Sequence, residues 1–72
     1  MLRFDTSALF YALEAERQQR KMTWKQVAVE IGVSESTILK TRRGGRMEVD
    51  GMLQMVNWLN VPVETFVRKE EF

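Results

Sequence analysis

The densest group of side chains able to bind a charged ligand is a short basic run near the middle of the chain. It consists of Arg42, Arg43, Gly44, Gly45 and Arg46. Lys40 lies just before it. Guanidinium and ammonium groups donate charge-assisted hydrogen bonds to anions, and glycines let the backbone approach a ligand closely. The segment therefore predicts a surface that binds a polyanion.

The charges of the whole chain are unevenly distributed. The net charge is only +1, but residues 17–46 contain eight cations and two anions and carry +6. The remaining residues contain three cations and eight anions and carry −5. A polyanion-binding face requires an asymmetry of this kind, although charge alone leaves chance clustering on a solvated surface as an alternative.

The residue types that the chain lacks argue against catalysis. There are no cysteines and no histidines, so a disulfide framework and a thiolate or imidazole metal site are excluded. Ser34 and Ser36 have no usual base to activate them, and the carboxylates show no metal-ligand or paired-acid spacing. We therefore expect no enzymatic activity, no cofactor and no metal.

The length and composition predict one globular domain spanning residues 1–72. Apolar residues make up 44% and charged residues 29% of the 72 positions, which is typical of a folded protein. No apolar stretch approaches the roughly 20 residues of a membrane span, and the N-terminus, with Asp5, lacks a signal-type apolar run. These features predict a cytoplasmic protein that does not enter a membrane.

Apolar residues recur at helical spacing between the few glycines and the one proline, which predicts an all-α fold of five short helices without strands. Asp5, Thr6 or Ser7 can cap the first helix. The fourth is predicted to be mostly buried through Val49, Met52, Leu53, Met55, Val56 and Leu59. Asn60 suits its left-handed C-terminal position, and Pro62 suits the first turn of a fifth helix.

Residues 23–41 have the pattern of two helices joined by a tight turn. Thr23 and Ser34 can cap the second and third helices, and Gly32 can adopt the left-handed conformation that ends the second. Ala28 provides the small residue that two crossing helices need where they touch, and Ile38 fills the space above it. This is the geometry of a helix-turn-helix.

These residues resemble the Cro and phage-repressor family of helix-turn-helix regulators, often called Xre-like. The family repeats the small alanine, the turn glycine, the serine cap and the isoleucine at this spacing, as Ala28, Gly32, Ser34 and Ile38 do here. The resemblance extends over roughly residues 9–67. It implies a lambda-repressor-like domain that binds double-stranded DNA and regulates transcription, as a repressor. A protein-interaction module on the same fold, such as an antitoxin-like or co-regulator domain, is the alternative.

The resemblance implies that the third helix lies in the major groove. The base-reading positions then fall on Glu35, Ser36, Leu39 and Lys40. Lys40 can donate to guanine, Leu39 can touch a thymine methyl group, and Glu35 could accept from cytosine. The charge of Glu35 also has a structural explanation, since an acid at the start of a helix suits the helix dipole. Lys40 could likewise be an ordinary solvated lysine.

Candidate phosphate contacts lie around the same helix and at the start of the one before it. They are Thr23, Trp24, Lys25, Thr37, Arg43 and Arg46.

Two positions depart from the family pattern. Trp24 replaces a glutamine that bonds to phosphate, and could instead belong to the core. Arg42 replaces a glutamate that pairs with a basic residue near Arg17, so the usual ion pair cannot form.

DNA-binding proteins of this kind read two half-sites as dimers, about 34 Å apart on one face of B-DNA. Trp58 and Phe72 are the candidate interface residues, because aromatic side chains are favoured at interfaces. A place in the core is the alternative for both. For Met55 and Phe66 the core is the favoured interpretation.

Overall fold

The computed structural model describes residues 1–44 and 46–70. In chain order, these residues form β1 (Leu2–Phe4), α1 (Thr6–Gln19), α2 (Trp24–Ile31), α3 (Glu35–Thr41), α4 (Val49–Leu59), a 3₁₀ helix (Val63–Phe66) and β2 (Val67–Lys69). The described part of the chain is thus a small, mostly helical domain.

Side-chain caps begin the first three helices where the sequence predicts them. The Asp5 carboxylate accepts from the amide of Ala8 at 3.0 Å and caps α1. Thr23 caps α2 in a reciprocal capping box, in which its hydroxyl accepts from the Gln26 amide and the Gln26 side chain accepts from the Thr23 amide. Ser34 caps α3. Each cap satisfies an amide that the helix leaves without a partner, which fixes where the helix begins.

Two left-handed residues end α2 and α4, as predicted. Gly32 has φ of 91° and its amide donates to the carbonyl of Ala28 at 2.9 Å. Asn60 has φ of 58° after α4. A left-handed residue reverses the chain sharply after a helix, so α3 follows α2 after only residues 32–34.

The core lies where α1, α2, α3 and α4 meet. Its buried apolar side chains are Leu9, Phe10, Leu13, Val27, Ala28, Ile31, Ile38, Met55, Val56 and Phe66. The predicted core positions Met55 and Phe66 are confirmed. The prediction that α4 is mostly buried is wrong at two positions, since Val49 is 60% and Leu53 is 48% exposed. These two residues are four apart and lie on the side of α4 turned away from Met55, next to Val56 at the edge of the buried stripe.

The prediction of a helical domain is confirmed, but the prediction that it lacks strands is wrong. β1 and β2 pair antiparallel, with Arg3 opposite Arg68, and join the two ends of the described chain. Arg3 in β1 also forms an ion pair with Glu70, the residue after β2, at 3.1 Å. Three-residue strands are too short for visible alternation, and their pairing joins positions far apart in sequence, so no local pattern indicates them.

The predicted fifth helix is a 3₁₀ helix. Pro62 precedes it in an extended conformation, and β2 begins at Val67, directly after Phe66. Only four residues therefore lie between the proline and the strand. A tight turn of i to i+3 hydrogen bonds suits so short a segment better than an α-helix does.

Candidate nucleic-acid interface

The inner side of α3 fixes the orientation of its outer side. Ile38 is fully buried and Thr41 is 2% exposed, and both face the core. The Thr41 hydroxyl donates to the carbonyl of Ile38 at 2.6 Å, so this polar group is satisfied inside the protein. Because the helix has 3.6 residues per turn, these two positions leave residues 35, 36, 39 and 40 on the outer side.

All four candidate base-reading side chains are exposed. They are Glu35, Ser36, Leu39 and Lys40. Leu39 is 44% exposed although it is a large aliphatic residue. The structure brings Ser36, Leu39 and Lys40 together with Arg43 around one shallow depression. This surface, the Lys40 depression, combines a hydroxyl, an apolar side chain and two cations.

A different depression lies at the start of α3. Ser34 and Thr37 line it together with Glu48 and Asp50, which belong to the beginning of α4. The hydroxyls of Ser34 and Thr37 lie 2.7 Å apart and hydrogen bond to each other. Thr37, a candidate phosphate contact, therefore shares this surface, the Glu48 depression, with two carboxylates. The sequence predicts no role for Glu48 or Asp50, because their position beside α3 depends on how α4 packs.

The other candidate phosphate contacts are spread around the domain. Arg46 lines a groove beside β1, together with Arg3 and Glu70, and is separate from the Lys40 depression. Thr23 and Lys25 are exposed at the start of α2. Gly44 has φ of 74°, and a β-carbon there would approach the Ser7 hydroxyl to 2.9 Å. Gly44 therefore lies close to the first turn of α1, where a larger residue would not fit without a shift.

Trp24 has partners within the protein. It is half-buried, and its ring stacks on Phe10 with centroids 5.3 Å apart. The Arg17 guanidinium lies 4.8 Å from the centre of the Trp24 ring and donates to the carbonyl of Met22 at 3.0 Å. These contacts favour the interpretation that the indole belongs to the core boundary, with only part of its surface left for a phosphate.

Arg17 makes a hydrogen bond and a ring contact within its own chain. Its Nη1 donates to a carbonyl and its plane covers an indole, while its buried Nε has no acceptor among the described residues. Arg42 is exposed, so solvent screens its positive charge. An unsatisfied buried donor costs roughly 1–3 kcal/mol, so the Arg17 Nε destabilises the domain.

Trp58 also contacts its own chain. Its indole N–H donates to Glu30 at 3.0 Å, and the Arg20 guanidinium lies 4.5 Å from its ring centre. Arg20 in turn pairs with Glu16 at 2.8 Å. The network ties α1, α2 and α4 together, and only the Glu16–Arg20 spacing is visible in the sequence. Phe72, the second candidate interface residue, lies outside the described residues.

Comparison of the chain with protein-family models, with curated proteins and with solved structures found no match. Within residues 1–44 and 46–70, none of the helices has the length and hydropathy needed to cross a membrane. The same residues contain no cluster of three or more acidic side chains placed to hold a metal ion. The function must therefore be inferred from the surface of the domain itself.

Proposed function

We propose that the protein is a sequence-specific double-stranded DNA-binding transcriptional regulator that acts in the cytoplasm as a repressor. In this proposal the domain is a lambda-repressor-like helix-turn-helix, α3 enters the major groove, and α2 rests across the sugar-phosphate backbone. The observation that carries the proposal is the exposed outer side of α3, where Ser36, Leu39 and Lys40 converge on one surface.

The geometry of α2 and α3 supports this proposal. A capping box starts α2, a left-handed glycine ends it, and a serine cap starts α3 two residues later. The buried side of α3 holds the helix in one orientation against the core, so its outer side chains are presented without further folding. Such preorganisation lowers the entropic cost of binding.

The types of side chain on α3 suit the edges of base pairs. Lys40 can donate to the O6 or N7 atom of guanine, Ser36 can donate or accept, and Leu39 can contact the methyl group of thymine. Arg43 at the rim of the same depression is placed to bind a neighbouring phosphate, which positions the helix without reading sequence. Glu35, the fourth candidate, offers only acceptors when ionised.

The salt dependence of DNA binding tests the proposal. If Lys25, Arg43 and Arg46 each neutralise one phosphate, affinity should fall by about 40-fold between roughly 50 and 200 mM salt, because bound counterions are released. Fluorescence anisotropy with a labelled random-sequence duplex measures this slope. Absent binding, or an affinity that does not change with salt, would contradict the proposal.

A protein-interaction module is the second candidate, and the carboxylates near the start of α3 favour it. Glu35, Glu48 and Asp50 are all exposed there, and negative charge on this surface opposes contact with phosphates. A domain that recognises a protein through this acidic surface is expected to leave the labelled duplex unbound at every salt concentration. The anisotropy titration therefore separates the two candidates.

A homodimer remains part of the proposal. Two copies would place two α3 helices in successive turns of the major groove, about 34 Å apart. Because Trp58 is half-buried and bonded to Glu30, only part of its ring surface remains for a partner. Sedimentation of the full chain at high micromolar concentration distinguishes a dimer from a monomer.

A further inference from the structure

The two ends of α3 carry opposite charges. Glu35 is the first residue of the helix, whereas Lys40 is in its last turn and Arg42 and Arg43 follow directly. All four side chains are exposed. The outer side of α3 therefore changes from negative to positive over the length of a seven-residue helix, about 10 Å.

The packing of α4 strengthens this difference. Glu48 and Asp50 line the depression at the start of α3, beside Ser34 and Thr37. Arg43 lines the depression at the end of α3, beside Ser36, Leu39 and Lys40. The start of the helix thus has three carboxylates on or beside it, and the end has three cations.

Phosphates approach these two surfaces with different electrostatic consequences. Charges a few ångströms from a phosphate act on it strongly at low salt, and the interaction is screened over about 10 Å at 0.1 M ionic strength. The width of the major groove, about 12 Å, brings the phosphates of both strands near any helix that lies in it. A helix inserted by its acidic end would bring three carboxylates towards these phosphates.

On the basis of the proposed DNA-binding function, we infer that α3 docks on DNA through the Lys40 depression and not through the acidic surface around Ser34. Ser36, Leu39 and Lys40 are the specificity-determining residues, and Arg43 binds a flanking phosphate. Glu48 and Asp50 keep the start of α3 away from the backbone, and Glu35 contacts no base. Each copy of the protein then reads only a few bases, because about one and a half turns of α3 face the DNA.

Removing the carboxylates at the start of α3 tests this inference. Glu48→Gln and Asp50→Asn, combined in one protein, keep the size of the side chains and remove two negative charges. Glu64→Gln is the control for loss of a single negative charge elsewhere, because Glu64 is exposed in the 3₁₀ helix and lines neither depression. Binding of a random-sequence duplex is measured by anisotropy at about 50 and about 500 mM salt, after thermal melting has verified that each variant is folded.

The double variant is expected to bind about threefold to tenfold more tightly than the wild type at the lower salt, with the gain lost at the higher salt. Glu64→Gln should change affinity by less than about twofold, through net charge alone. An equal gain in both variants, or weaker binding by the double variant, would overturn the inference. A wild-type protein that binds no duplex at either salt contradicts the proposed function instead.

The role of Glu35 is tested separately by selecting bound sequences from random duplexes. Glu35→Gln is expected to select the same base preferences as the wild type, because Glu35 contacts no base. Ser36→Ala serves as the comparison and is expected to alter the preference at one position. A changed preference in the Glu35→Gln selection would show that Glu35 contacts a base, contrary to the inference.

Discussion

Replacing Ile38 with alanine is expected to lower the free energy of unfolding by about 2–5 kcal/mol. Ile38 is fully buried between α3 and the rest of the core, so truncation removes buried apolar surface and leaves a cavity. A domain of this size has only about 4–11 kcal/mol of stability in total. Urea denaturation followed by tryptophan fluorescence measures the change, since Trp24 and Trp58 are both half-buried.

Leu39→Ala is the matched control for this substitution. Leu39 is the next residue of the same helix and is 44% exposed, so the same truncation should change stability by about 0.5 kcal/mol or less. It should instead weaken binding to duplexes that place a thymine methyl group against it. If Leu39→Ala destabilised the protein as much as Ile38→Ala, the orientation of α3 described here would be wrong.

Lys40→Ala and Arg43→Ala are expected to affect DNA binding in different ways. Losing a base contact at Lys40 should relax the preference at one base pair by about 1–3 kcal/mol, which is roughly 5-fold to 150-fold in relative affinity. Losing a phosphate contact at Arg43 should weaken binding to all sequences alike and reduce the slope of log affinity against log salt by about 1. Competition between selected and point-mutated duplexes, repeated over several salt concentrations, measures both quantities.

Lys69→Ala controls for the loss of one positive charge. Lys69 is exposed in β2, outside the depressions around α3, and its removal lowers the net charge by the same amount. It is expected to leave the base preference unchanged and to affect affinity only slightly. The assigned roles would be contradicted if Lys40→Ala behaved like Lys69→Ala, or if Arg43→Ala altered base preference.

Much of the local structure follows from short-range chemistry and could be predicted. Asp5, Thr23 and Ser34 cap helices because a side-chain oxygen at that position satisfies an amide a few residues ahead. Gly32 and Asn60 end helices because they accept the left-handed conformation. The exposed side of α3 follows from the position of Ile38, since one buried residue fixes the rotation of a helix.

Features that depend on distant parts of the chain could not be predicted. The pairing of β1 with β2 joins Leu2 to Lys69, and no local pattern encodes it. The exposure of Val49 and Leu53 depends on which face of α4 meets α1 and α2. For the same reason the sequence did not indicate that Glu48 and Asp50 lie beside the start of α3, although this placement decides the electrostatics of the candidate interface.

Contact between the outer surface of α3 and duplex DNA can be measured residue by residue. Backbone amide chemical shifts of the isotopically labelled protein, recorded while a duplex is added at low salt, test it most directly. The largest shifts are expected at Ser36, Leu39, Lys40 and Arg43. Shifts concentrated in β1, β2 and the 3₁₀ helix, with α3 unchanged, would contradict it.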